Sequence, residues 1–335
     1  MHNINDKKIS AVVVTYNRKE LLAQCISALL KQTHHLSRIY IVDNASTDGT
    51  QRYLQETGCL GNENVSYIKL DNNTGGAGGF CTGMKVAYDD GRDWIWIMDD
   101  DAEPSQDALK ALLNPVIDGF VRERDCLTSL LVTSQGDVSY EHRGVIKLDG
   151  FVSNIVRPLK PSDIRPGIPT LIHHSSFVGL LLPRDIVSDI GYPDRRFFIH
   201  YDDVDYSIRL GLAGYKIYLI PNSIIVHKEG RFTVSDKKKT HLFMVSSTRR
   251  VSIYKSWIKY YSIRNLIYLC RKYQTNRAVF CLETLIRFVR IVGGIMLYDD
   301  RKLERATLVV RAIYDGLYGN LGKNIDPVEW RKKVY

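Results

Sequence analysis

Three consecutive carboxylates, Asp99, Asp100 and Asp101, close the apolar run Trp94 to Met98. Adjacent carboxylates repel one another unless a cation or a polar opening offsets their charge. Hard divalent ions such as Mg²⁺ or Mn²⁺ take oxygen ligands of this kind and bridge phosphate oxygens. An acidic helix start is the competing explanation, because Glu103 and Pro104 follow. A second acidic group, Asp202, Asp203 and Asp205, comes directly after Tyr201. There a carboxylate tuned by its neighbours could serve as general base towards a sugar hydroxyl, or simply cap a helix.

Gly75, Gly76, Gly78 and Gly79 lack side chains, so backbone there could approach a ligand and offer N–H groups to a phosphate or sugar. A dinucleotide fingerprint read from Gly76 fails because Cys81 stands where the last glycine should be. A Walker loop fails because no Lys followed by Ser or Thr comes after the glycines. His227, after Ile224, Ile225 and Val226, is either a metal ligand or a satisfied edge histidine.

The elements that must position these groups alternate. Ile9 to Thr15, Ile39 to Val42, Val65 to Leu70 and Trp94 to Met98 read as buried strands. Glu20 to Lys31 carries an amphipathic stripe of Leu21, Leu22, Cys25, Ile26, Leu29 and Leu30, and Gln51 to Glu56 suits a short helix. Alternating strand and helix predicts an α/β fold, and the polar clusters fall after strands, the edge at which open α/β sheets bind ligands. Asn73 to Gly79 reads as a glycine-rich loop, and Pro104 as the opening of a helix to Leu113. Val204 to Ala213 predicts a helix and Lys216 to Ile220 a strand; Val251 to Tyr273, Ala278 to Leu297 and Leu303 to Leu317 predict a helical C-terminal region.

The 335 residues carry a formal net charge of +9, unevenly spread. Gly230 to Tyr335 has 22 Lys and Arg against 8 Asp and Glu, whereas Met1 to Glu229 has 24 against 29. The expected division is therefore an acidic region, 1–229, and a basic helical region, 230–335. The 44% hydrophobic content excludes a disordered or fibrous chain. Six Cys without a C-x-x-C pair read as buried thiols of a reducing compartment. A polar start without secretory signal features and no long uncharged apolar run predict a cytoplasmic chain without a spanning helix.

In this order, VVVTYNR (Val12 to Arg18), IVDNASTDGT (Ile41 to Thr50), NTGGAGGF (Asn73 to Phe80), WIMDDDAEP (Trp96 to Pro104), YDDVDYSIRL (Tyr201 to Leu210) and the Val226–His227 pair resemble the inverting family 2 glycosyltransferases of the GT-A fold. The resemblance implies a Rossmann-like, mostly parallel sheet flanked by helices. It implies a donor site floored by Thr15, Tyr16 and Arg18, with Asp43 at the uracil edge and Asn73, Gly75 and Gly76 against ribose and donor sugar. Asp100 and Asp202 are counted with the donor-binding residues. Asp99, Asp101 and His227 would hold Mn²⁺ or Mg²⁺, and Asp203 would be the catalytic base.

NTGGAGGF together with YDD most resembles the bacterial galactofuranosyltransferases, which use UDP-galactofuranose; rhamnosyltransferases using dTDP-rhamnose come next. Tyr260, Tyr261, Arg264 and Asn265 resemble a YY-x-x-RN segment of the same group. The implied partners are a UDP-sugar, a glycan or polyprenyl-linked acceptor, the inner face of a bacterial membrane met by the basic helices, and a second copy in a homo-oligomer. Nucleic acid is not expected; a basic nucleic-acid or membrane-binding protein without catalysis is the remote alternative.

Overall fold

β1 (Ile9–Thr15) is buried from end to end, and its alternation sets the layering. Ile9, Ala11 and Val13 belong to one hydrophobic cluster, while Val12 and Val14 belong to another, because successive strand side chains point to opposite faces. The first cluster is filled by α1 (Lys19–Leu30) and α4 (Ala108–Ile117), through Leu22, Ile26, Leu109 and Leu113. The second takes Phe80, Met84 and Ala87 of α3 (Gly75–Asp89), and residues of α5 (Arg184–Ile190) and α6 (Asp202–Leu212). This computed structural model describes residues 7–148, 155–228, 241–242, 245–246 and 252–334.

The remaining strands are β2 (Arg38–Asp43), β3 (Val65–Lys69), β4 (Trp94–Asp99), β5 (Ala102–Pro104), β6 (Cys126–Val132), β7 (Arg143–Ile146), β8 (Val156–Pro158), β9 (Thr170–Ile172), β10 (His174–Ser175), β11 (Leu180–Pro183) and β12 (Ile217–His227); α2 spans Thr50–Glu56. The main sheet runs β3-β2-β1-β4-β11-β6-β12-β5, with β9 also on β12. Strands β1 to β4 are parallel to one another, β11 is antiparallel to β4 and β6, and β12 is parallel to β6 and antiparallel to β5. A smaller sheet orders β10-β7-β8.

The described residues fall into two compact units, within Met1–Ile146, Val156–Arg195 and Asp202–Gly230 for the first, and Lys147–Ile155, Arg196–Tyr201 and Arg231–Tyr335 for the second. The second unit holds α7 (Ser256–Tyr273), α8 (Arg277–Tyr298), α9 (Lys302–Tyr318) and α10 (Pro327–Val334). Its interior is polar where the sequence resembles YY-x-x-RN. Tyr260 donates to Asp315 Oδ2 (2.5 Å) and Tyr261 to the Ile325 carbonyl (2.8 Å). Arg264 donates to the carbonyls of Phe197 and Gly322, and Asn265 Nδ2 to those of Phe197, Ile199 and His200. These bonds tie down a segment in which Phe198, His200 and Tyr201 take left-handed φ of 66°, 66° and 65°. Such a backbone persists in non-glycine residues only where the surroundings over-determine it.

Several expectations are corrected. Pro104 ends β5 rather than opening a helix: it pairs with Ile225 at the sheet edge, where a missing N–H is tolerated, and α4 starts at Ala108. The C-terminal helix α7 begins at Ser256, Val251 lies outside the described residues, and α10 carries no periodicity strong enough to announce it. Cysteine burial is also mixed, since Cys25, Cys126 and Cys270 are buried, Cys59 and Cys81 only partly, and Cys281 is exposed. The glycine run is not a loop. Gly75, with φ +73°, starts α3, and the later glycines let that helix press against the sheet: a Cβ on Gly79 would lie 2.4 Å from Val14 Cγ1, and one on Gly83 2.3 Å from Val12 Cγ1.

Gly83→Ala is therefore expected to lower stability by about 1–3 kcal/mol, the cost of overpacking a filled core. Urea unfolding checks this, and an unchanged midpoint would contradict the packing argument.

Candidate active site

The acidic trio stands where β4 ends. Asp99 is the partner of Val14 in the β1–β4 register, so the carboxyl ends of both strands meet there. Thr15, last residue of β1, donates its hydroxyl to Asp100 Oδ2 (2.7 Å). Arg18 Nη1 lies 3.3 Å from Asp100 Oδ1 and 3.1 Å from Asp101 Oδ2. His227, last residue of β12, arrives because β12 pairs with β5, opposing His227 to Ala102, and because the Lys228 N–H bonds the Asp101 carbonyl (3.0 Å). His227 Nε2 then sits 3.0 Å from Asp101 Oδ1. One donor atom from each of Asp99, Asp101 and His227 lies within 4.8 Å of the others.

The three carboxyls differ in charge state. Burial pushes Asp99 up to about 7, with Asp101 adding to the rise and His227 opposing it. Burial also raises Asp100 to about 6, against the pull of Arg18 and Thr15. Asp101 stays below the ordinary carboxylate range: burial works against it, but the hydrogen bond and charge of His227, with Arg18, outweigh burial. His227 is raised in turn by Asp101 despite its own burial. Two carboxylate oxygens and one imidazole nitrogen suit a hard divalent ion such as Mn²⁺ or Mg²⁺, and Asp99, the least compensated acid, is the one a cation would relieve.

The second acidic group opens α6. Asp205 pairs with Arg209 (2.9 Å), and Arg209 also donates to the carbonyls of Ile190 (2.6 Å) and Tyr192 (2.9 Å), fixing the helix. Asp202 is buried and its carboxyl is raised well above normal, first by burial, then by Asp203 and Asp99. Asp203 is more open, with 23% of its side chain exposed, and its Oδ1 accepts the Val204 N–H (2.8 Å).

The nucleotide-binding candidates divide. Thr15 and Arg18 serve the acidic trio, and Tyr16 is exposed. Asp43 is buried; its carboxylate accepts the Ser46 N–H (2.8 Å) and the Tyr67 hydroxyl. It borders a hollow of ≈ 420 Å³ also lined by Ser46, Thr50 and Lys69. Asn73 accepts the Gly75 N–H (2.8 Å), closing the turn into α3, and Gly76 faces open space. Pattern reading missed Asn44, which bonds Thr74 N (3.0 Å) and the Gly75 carbonyl (2.8 Å). It also missed His142, set edge-on to His227 at 4.9 Å, and the fully buried Arg143. Burial, then His227 and Arg143, hold His142 down at about 3, so it is neutral. Isolated histidines and arginines carry no spacing that could have marked them.

The mostly parallel, helix-flanked sheet with an acidic cluster at its carboxyl edge matches the expected GT-A-like α/β fold, and comparison agrees. Residues 10–176 match the model of Glycosyl transferase family 2. Galactofuranosyltransferase GlfT1 of Mycolicibacterium smegmatis is 32% identical over 209 residues, 62% of this chain and 66% of that protein, just under two thirds of its length. N-acetylglucosaminyl-diphospho-decaprenol L-rhamnosyltransferase of Mycobacterium tuberculosis is 26% identical over 273 residues, 70% of this chain and 83% of that one. Among solved structures, GalNAc-T7 with UDP, GalNAc and Mn²⁺ superposes with a TM-score of 0.59 at 13% identity, covering 93% of this chain and 56% of the other, a likeness of fold. Residues 10–176 thus carry a family 2 glycosyltransferase domain.

Because ligation requires an ionised Asp99, Mn²⁺ must displace its proton below about pH 7. Apparent Mn²⁺ affinity measured by calorimetry should weaken by more than about eightfold from about pH 7.5 to about pH 6, because His227, raised by Asp101, must give up its proton as well as Asp99. Affinity independent of pH would contradict the role of Asp99.

Proposed function

We propose that this chain is a metal-dependent inverting glycosyltransferase that moves galactofuranose from UDP-galactofuranose to a glycan or polyprenyl-linked acceptor. The observation that carries the reading is the convergence of Asp99, Asp101 and His227 from β4 and β12 on one point. Those three residues would hold the ion, which when bound supplies positive charge to a leaving nucleoside diphosphate. Thr15 and Arg18 keep Asp100 and Asp101 in place. Asp203 accepts the proton of the acceptor hydroxyl as that oxygen forms its bond to the anomeric carbon; the bond to the diphosphate breaks on the opposite face, and the configuration inverts.

The donor assignment rests on the likeness to GlfT1. Rhamnosyl transfer from dTDP-rhamnose is the second reading, favoured by the longer span shared with the rhamnosyltransferase. Calorimetry with UDP and dTDP, each with and without Mn²⁺, separates them: UDP should bind about tenfold or more tightly with Mn²⁺, and dTDP weakly. Preference for dTDP would move the donor to rhamnose, and metal-independent binding of both would remove the metal from the mechanism. Asp203→Asn should keep UDP affinity while turnover falls about a hundredfold or more; wild-type turnover would overturn the base assignment.

For the acceptor side we place the basic second unit at the inner membrane face. No helix among the described residues is long and apolar enough to cross a membrane. On α8, however, Leu282, Leu285, Val289 and Met296 are exposed on one side, and Glu283, its single acid, is buried. An exposed apolar stripe on a helix with Arg277, Arg287 and Arg290 suits an anionic lipid surface. Leu285→Glu with Val289→Glu should abolish co-flotation with vesicles containing phosphatidylglycerol; undiminished flotation would remove α8 from the contact.

A further inference from the structure

His174 has no place in the chemistry so far, yet its position is closely built. It lies in β10, which pairs antiparallel with β7, His174 opposite Gly144 and Ser175 opposite Arg143. Ser175 is tied to α6, its N–H 3.4 Å from Ser207 Oγ and its carbonyl 3.5 Å from the same hydroxyl. Strand and helix thus hold the imidazole against the first turn of α6. His174 is only 4% exposed, and among the described residues neither ring nitrogen has an aligned hydrogen-bond partner. Buried polar atoms are nearly always satisfied, so an imidazole left without a partner asks for a reason.

The nearest acidic oxygen supplies one. Nε2 of His174 lies 3.5 Å from Oδ2 of Asp203, while the other oxygen, Oδ1, is held by the Val204 N–H. We propose that His174 is the positioning residue of the catalytic base: its Nε2–H donates to Asp203 Oδ2 in the reactive complex and fixes the carboxylate plane towards the acceptor hydroxyl. The 3.5 Å separation closes with a small shift, as such contacts do when a reactive complex forms. The imidazole keeps its proton throughout, and the proton from the acceptor goes to Asp203.

The surroundings are consistent with a donor rather than a second base. Arg143, on the strand paired with β10, is fully buried and donates to neutral oxygens, the carbonyls of Ser129, Val178 and His142 and the hydroxyl of Ser176. His142 and Asp202 are the other titratable groups close by.

The inference rests on Asp203 being the base, and the test separates the two. UDP release from UDP-galactofuranose is followed with n-octyl β-D-galactofuranoside or water as acceptor. His174→Phe, which keeps the shape and removes the donor, should lower kcat about tenfold or more while the donor KM and calorimetric UDP affinity stay unchanged. His174→Gln, which restores an N–H, should recover most of the loss, and His174→Phe added to Asp203→Asn should cost nothing further. Unchanged kcat in His174→Phe, equal loss in the Phe and Gln variants, or a further loss in the double variant would overturn the proposal. Wild-type turnover in Asp203→Asn would instead remove the base reading beneath it.

Discussion

Keeping three consecutive carboxylates together at low solvent exposure is the constraint to which most of the first unit answers. Charges removed from water are tolerated only when paired or hydrogen-bonded. The compensation is graded. Asp101 has His227 and Arg18, Asp100 has Thr15 and Arg18, and Asp99 retains the strain as a carboxyl raised to about 7. Binding a cation there would displace protons, and the acid that carries the largest deficit is the one at the strand end.

That arrangement explains otherwise odd features of the fold. β5 is three residues long and at the sheet edge, yet it sets the register that carries His227 to Asp101. β12 survives the irregularity between Ile220 and Ile224 and continues for the four residues that end in the histidine. The acidic start of α6 repeats the same separation of roles: Asp202 is buried, with its carboxyl raised well above normal, and Asp203 is more open.

Much of this was legible in sequence because it depends on local type and spacing. Buried β-branched runs gave β1, β2 and β4, and the acids closing β4 and opening α6 stood out as charge clusters after apolar segments. The glycines were read for what they lack rather than for what they admit. Their segment forms a helix because Gly79 and Gly83 meet Val14 and Val12 of β1, a tertiary fact that no local pattern contains. Tyr260, Tyr261, Arg264 and Asn265 look like surface residues by composition. All four are buried, since Arg264 and Asn265 serve backbone carbonyls of a left-handed segment far away in sequence. His142, Arg143 and His174 were invisible for the same reason, each being a single residue whose partners are supplied by strand pairing.

The central claim is that Asp99, Asp101 and His227 form one metal site, and pulsed electron paramagnetic resonance of bound Mn²⁺ tests it most directly. With UDP present, the protein should show ¹⁴N coupling from one imidazole nitrogen on manganese, lost in His227→Ala while the remaining signal persists. Manganese bound with no nitrogen coupling, or coupling that survives His227→Ala, would contradict the account.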